Sequence, residues 1–423
     1  MSRSILFVAY FYPPCADAGA HRPAAMVKYL RRLGHRVTVL TTAAYGDPDD
    51  ADVVRTADLQ LARARIHGKG HVQAMYESDT YSGRFHPLSR VLVPEPLVAA
   101  WVPFALPRAL LLHRARRFDV AITTSPPESA HLIGRTLQRR GVAWIADVRD
   151  AWNFEPLRPT FPTAAQRRLD ERLERRLLGA ADAVTAVSQP AAEDLRSRVG
   201  ASVELVPNGW DPELAPSPDG DDVREAKRQL DPERTSLVYT GRFGSYGRDP
   251  RPLVEALRGL ASSHPEDAAR LELVVAGPQT DAELELLRTD VSPARISVVG
   301  TLPRERAVAL QRAADALLVI AAPGRTQLAN LKLFEYLAAA RPILALAGGT
   351  EAGRIVSETG GDVVRSDDVA AIADALRRLV AGRIEVPDPE RLREYSYPAT
   401  AERMAAAVER AVETTRAAPP PGT

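Results

Sequence analysis

Within residues 327–346, QLANLKLFEYLAAARPILAL, stand two groups suited to a phosphorylated ligand, Lys332 and Glu335. A carboxylate just inside a helix whose N-terminal amides face a crevice can accept from ribose hydroxyls, while those amides and Lys332 hold a diphosphate. The plainer alternative is an amphipathic helix with one exposed glutamate. A second set lies in DVRDAW, where Asp147, Arg149 and Asp150 follow the apolar run 142–146 beside Trp152. Carboxylates at a strand end can orient a nucleophile or take its proton. They can equally cap turns and pair with Arg149. Gly19, in the loop after the first apolar run, would let a ligand approach the backbone closely, although no GxGxxG surrounds it.

The elements that must carry these groups follow from periodicity. Leu333, Phe334 and Leu337 recur at helical spacing and Pro342 stops the helix before the apolar run 343–346, so this stretch reads helix, corner, buried strand. Residues 5–9 predict a strand, about 22–33 a helix closed by Gly34, and 37–41 a second strand. Further strands are expected at 61–66, 120–123, 142–146, 183–187 and 203–206, with helices at 128–139 and 164–178. The interleaved Glu and Arg of the 164–178 helix suit solvent-facing pairs. The pattern restarts with strands at 237–240, 271–276, 296–299, 316–320, 343–346 and 363–364. Helices at 252–260, 281–288, 304–313, 369–379 and 402–414 separate or close them. Such alternation is the signature of parallel α/β sheets, and each half reads as a Rossmann-like domain. The Pro, Gly and Asp-rich stretch 216–222 reads as the linker, giving domains at 1–212 and 213–398 and a disordered tail at 416–423.

The chain of 423 residues is too long for one ordinary core, and 45% hydrophobic with 26% charged residues fits a globular protein. A net charge of +1 implies no nucleic-acid partner. One cysteine, Cys15, excludes an intramolecular disulfide and a multi-cysteine metal site, and a reducing cytoplasm is the expected setting. Residues 83–112 are crowded with apolar and aromatic side chains and bordered by Arg114, Arg116 and Arg117. One reading is an acceptor-facing or peripheral membrane-surface element at the inner face of the membrane. The other is a cross-packed pair of core helices with a solvated basic end, since prolines at 94, 96, 103 and 107 oppose one long helix.

Two Rossmann-like halves, PNG at 207–209, TGRFG at 240–244 and KLFEYLAAARPIL at 332–344 together resemble the GT-B fold glycosyltransferases of family 4. SPPESAHLIG followed by WIADVRDAW is similar to a bacterial branch of that family, and the match spans essentially the whole chain. The resemblance implies two domains facing each other across a cleft, with a helix at about 399–415 crossing back to the first. It implies a nucleotide-diphosphate sugar as donor, an acceptor hydroxyl or amine held by the first domain, transfer with retention, and neither metal nor cofactor. Carried over by position, the donor-binding set is Gly19, Arg242, Arg248, Gln327, Lys332, Leu333 and Glu335, with Arg242 and Arg248 on the diphosphate and Glu335 on the ribose. Gln327 stands where many relatives have a glutamate, and brings no negative charge beside a cationic transition state. Candidates for catalysis are Asp150, Asp147, His131 and Glu128; the family's histidine falls near Glu128, with His131 the nearest imidazole. A sugar-nucleotide epimerase and a non-catalytic nucleotide-sugar-binding protein are the alternatives, because a shared fold does not fix function.

Overall fold

Continuous apolar runs buried on both faces become the central strands of two parallel sheets. The first sheet comprises β1 (Ser4–Val8), β2 (Arg36–Thr42), β3 (Val53–Thr56), β4 (Val120–Ser125), β5 (Ala143–Val148), β6 (Ala183–Ala186) and β7 (Val203–Leu205). Its spatial order is β3-β2-β1-β4-β5-β6-β7, so the order reverses between β1 and β4. The second comprises β8 (Thr235–Thr240), β9 (Leu271–Ala276), β10 (Arg295–Gly300), β11 (Ala316–Ile320), β12 (Ile343–Leu346) and β13 (Asp362–Val364). Its order is β10-β9-β8-β11-β12-β13, reversing between β8 and β11. Open α/β sheets bind ligands at the carboxyl ends of strands at such reversals. This computed structural model describes residues 1–15, 18–46, 52–58, 93, 101–154, 161–215, 217–244, 247–327, 329 and 331–417.

The chain divides into one unit of Met1–Pro207 with Tyr397–Thr423 and another of Asn208–Ser396. In the first, helix His21–Arg32 and the long helix Tyr397–Ala417 cover one face of the sheet, where Met26 and Leu30 share a core with Met404 and Val408. On the other face Trp101, Ala109, Ile133 and Leu137 meet Leu6, Val8 and Leu40. In the second unit, helix Arg251–Ser263 and helix Val369–Val380 share one core with β8 and β9, and helix Leu331–Ala339 lies in the other with Phe334 and Leu337 buried. Among the described residues no helix is long and apolar enough to cross a membrane.

Several expectations change. The first unit's main segment ends at Pro207, and helix Asp221–Arg228, with Val223 and Ala226 buried, belongs to the second unit's core. One helix, Val102–Arg116, runs through Pro107, with Pro103 in its first turn. Pro107 is exposed, so the carbonyl it leaves unpaired can be met by water, which lessens a cost of about 3 kcal/mol for a proline inside a helix. The expected strand at 61–66 lies outside the described residues; β3 at Val53–Thr56 is a strand that the sequence pattern did not single out. Helix Ala164–Leu178 is not lined by solvent-facing pairs alone: Asp170 and Glu174 are buried, accepting from Trp152 Nε1 at 3.2 Å and from Asn153 and Arg198.

Candidate functional site

In the first unit the sequence-predicted groups gather at the carboxyl ends of β4 and β5 and in the loop after β1. Asp147 is the fifth residue of β5 rather than a loop residue, because the strand runs to Val148. It is fully buried. Arg22 Nη2 donates to it at 2.8 Å, Thr124 Oγ1 at 2.8 Å and Thr185 Oγ1 at 2.7 Å. Burial alone would raise its pKa, but the Arg22 guanidinium and the two hydroxyls hold the carboxyl below the usual range. Arg22 also donates to Pro207 O at 2.7 Å, tying the helix after the Gly19 loop to the last residue of the unit's main segment. Arg149 does not pair with Asp147. It donates to Ser125 O at 2.8 Å, to Pro126 O at 3.2 Å and to Gly19 O, so one guanidinium joins the loops after β1 and β4.

His131, at the start of helix His131–Gln138, is fully buried, its Nδ1 2.8 Å from Thr123 Oγ1 and its ring stacked on Trp152 at 6.1 Å. Its Nε2 has no hydrogen-bond partner among the described residues. Burial pushes its pKa down to about 4 against the opposing pull of Asp147, so the imidazole is neutral at pH 7. Glu128 is buried in the short 3-10 turn Glu128–Ala130, and Asp150 is half-buried one residue beyond Arg149. Gly19 sits in the turn Ala18–Ala20, just before the helix that carries Arg22.

In the second unit the cations collect where β8 and β11 part. Lys332 Nζ donates to Thr240 O at 2.7 Å, and a side chain at Gly241, whose φ is +137°, would overlap that ammonium. Glycine is required there both for the backbone conformation and for the lysine's seat. Burial first, and the Arg248 guanidinium second, push the Lys332 pKa down to about 8, against the opposing pull of Glu335. Arg248 Nε donates to Phe243 O at 3.3 Å, and Arg242 is exposed. The turn 241–244 is pinned from the β9 side: Gln279 Nε2 donates to Gly241 O at 2.5 Å, and Glu283 accepts from Gly244 N while completing a capping box with Thr280. Glu335 lies one residue before the buried Tyr336 and, half-buried, accepts from Arg304 Nη2 at 3.1 Å. Gln327 and Leu333 are buried.

Sequence reading missed Arg22, Gln279, Glu283, Arg304 and Tyr336. The capping box TDAE at 280–283 was legible as a helix start, but not as a clamp on a loop nearly forty residues earlier. For Arg22 the only signal was a charge in the first turn of the helix, ahead of the apolar residues 24–27.

The chain matches the glycosyl transferase 4-like domain over residues 19–209 and the glycosyl transferases group 1 domain over 234–382. It is 29% identical over 220 residues to a D-inositol 3-phosphate glycosyltransferase of Nocardia farcinica, covering 50% of this chain and 47% of that protein. The chain spans about half the length of the curated relatives it matches. Among solved structures it is similar to sucrose-phosphate synthase of Thermosynechococcus elongatus, with TM-score 0.63 and 19% identity over 96% of this chain and 98% of that one. An Anabaena protein crystallised with UDP and glucose aligns with TM-score 0.56 and 13% identity over 96% of this chain and 99% of that one. With two parallel Rossmann-like sheets and both family domains in this order, the chain belongs to the GT-B fold glycosyltransferases of family 4.

Proposed function

We propose that the protein is a hexosyltransferase that moves a sugar, with retention, from a nucleoside diphosphate donor on the second unit to an acceptor hydroxyl or amine on the first. Such an activity belongs to polysaccharide, glycolipid or natural-product biosynthesis. The observation that carries the reading is the cluster of Lys332, Arg248 and Arg242 at the point where the second sheet's strand order reverses, with Glu335 on the same helix as Lys332. A diphosphate is the anion such a cluster suits, and the UDP and glucose of the Anabaena neighbour support the choice. Catalysis in this reading comes from positioning and from neutralising the departing diphosphate. Neither step calls for a metal. Arg242 and Arg248 take the phosphates, Glu335 the ribose hydroxyls, and Gln327 offers an amide to the donor sugar. Asp147, enclosed by Arg22 and two threonines, supports the end of β5, leaving Asp150 as the acceptor-side carboxylate.

The test is a thermal-shift screen with UDP, GDP, their sugars and the matching nucleosides, since a ligand that binds only the folded state raises its stability. A diphosphate should raise the melting temperature and its nucleoside should not. Glu335→Ala should lower affinity for the preferred nucleotide roughly tenfold, the scale of charge-assisted hydrogen bonds to a ribose, with little change in the unliganded melting temperature. An unchanged dissociation constant removes Glu335 from the site. Asp150→Asn should bind donor as the wild type does, melt within a few degrees of it, and lose transfer to acceptor by about 100-fold or more. Near-wild-type turnover would exclude the acceptor role, and a large fall in melting temperature would make Asp150 a structural residue.

A further inference from the structure

β8 and β11 pair only through Ala316↔Leu237 and Leu317↔Val238, although β11 continues to Ile320 beside β12. Successive amides of a strand face opposite neighbours. Gly241 N donates to Ala276 O on β9, so the amide before it, Thr240 N, faces the side that β11 has left. A side chain takes the missing carbonyl's place: Tyr336 Oη accepts from Thr240 N at 2.8 Å and lies 3.2 Å from Thr240 Oγ1. Tyr336 is buried, and burial pushes its hydroxyl pKa up, so the group stays protonated. Gln311 Nε2 donates to the same Oγ1 at 2.8 Å, and Lys332 Nζ to Thr240 O at 2.7 Å. The amide, hydroxyl and carbonyl of one residue are thus each held by a side chain. Two of those side chains, Lys332 and Tyr336, stand one turn apart on a single helix.

We propose that Tyr336 is a positioning residue for the donor: by standing in for a strand carbonyl where β8 and β11 part, its hydroxyl fixes the seat from which the Lys332 ammonium meets a diphosphate. The inference rests on the nucleotide-binding reading above. The charged groups acting on Lys332 are Arg248 of the loop after β8 and Glu335 of its own helix, which is paired with Arg304; Tyr336 of the same helix lies beside Glu335, and Tyr239 of β8 beside Arg248. Burial pushes the Tyr239 and Tyr336 hydroxyls up, and the terminal phosphate of UDP titrates at about pH 6. The Lys332 ammonium, at about 8, titrates between pH 7 and 9. An anion prefers the protonated lysine, so wild-type affinity for UDP should fall as pH rises through about 8.

The experiment measures dissociation constants of UDP and uridine, with GDP and guanosine alongside, from pH 6.5 to 9.5 for the wild type, Tyr336→Phe and Lys332→Met. Lys332→Met should abolish the pH dependence. Tyr336→Phe leaves Thr240 N–H without its acceptor and lets water reach Lys332, so diphosphate affinity at pH 7 should fall roughly 5- to 10-fold with nucleoside affinity unchanged. Its pH midpoint should rise by about one unit, toward the ordinary lysine value. Equal losses for UDP and uridine, or an unmoved midpoint, would overturn the proposal and make Tyr336 a core residue only. Should Tyr336→Phe not fold, Gln311→Leu removes another of the side-chain bonds to Thr240 and should move the midpoint the same way by less; an unmoved midpoint there overturns the proposal equally. Wild-type protein that binds neither diphosphate would overturn the nucleotide reading itself, whereas a wild type and Lys332→Met behaving as described beside an unaltered Tyr336→Phe would sink this inference alone.

Discussion

Arg22→Met is expected to destabilise the first unit by about 3–5 kcal/mol, the cost of removing one partner from a buried ion pair. Both side chains are almost wholly enclosed, at 3% and 1% exposure, and the nitrogen to oxygen distance is 2.8 Å. Removing the guanidinium leaves Asp147 charged in a dry interior with only two hydroxyls, and also frees Pro207 O. The sign of the pH effect follows. In the wild type the Asp147 pKa is depressed, so its contribution is complete above the unfolded carboxylate value of about 4 and is lost as pH falls through the lower folded value. Without Arg22, burial raises the Asp147 pKa, and the variant is relieved by protonation as pH falls. The difference in melting temperature between wild type and Arg22→Met should therefore be large at pH 8 and narrow toward pH 4.5. The double variant Arg22→Met/Asp147→Leu should recover much of the loss, because it leaves no unpaired charge. A single variant that melts with the wild type at pH 8 would show that the pair contributes nothing to stability.

The second large effect is on the donor. Replacing both Arg248 and Lys332, as Arg248→Ala/Lys332→Met, should lower UDP or GDP affinity by about 100-fold or more, since each charge-assisted contact is worth roughly 1.5–3 kcal/mol. Nucleoside affinity should stay within about twofold, because the base and ribose contacts remain. Isothermal titration at fixed ionic strength measures the contrast. If the double variant keeps the diphosphate's advantage over the nucleoside, the phosphate lies elsewhere. The unliganded variant should melt close to the wild type: losing Lys332 removes desolvation and repulsion, which offsets the loss of its bond to Thr240 O.

Burial in Lys332's surroundings is what separates this site from a surface cluster. An exposed lysine beside an arginine would be screened and would titrate near its ordinary value. Here the seat on Thr240 O, the absent side chain at Gly241 and the Tyr336 hydroxyl behind them put the ammonium where its charge is costly until an anion arrives. The sequence contains every one of these residues, but nothing in their spacing joins position 240 to 311, 332 and 336.

What the sequence determined by itself is what local pattern encodes. Apolar runs buried on both faces specify β1, β4, β9, β11 and β12, and helical spacing with Pro342 specifies Leu331–Ala339, because strand and helix periods differ and proline ends the latter. The motifs TGRFG and KLFEYLAAARPIL, in that order, carry Arg242, Lys332 and Glu335 and the resemblance to the family. Tertiary structure decided which charges stay dry and which partners they take. Asp147 and Asp150 are alike in sequence, yet one lies inside β5 against Arg22, 125 residues away in the chain, and the other lies half-buried beyond the strand. Arg149, two residues from Asp147, turned to carbonyls of two loops because the strand order sets β1 beside β4. Pairings of this kind depend on which strands become neighbours, a property of the whole sheet and not of any local window of sequence.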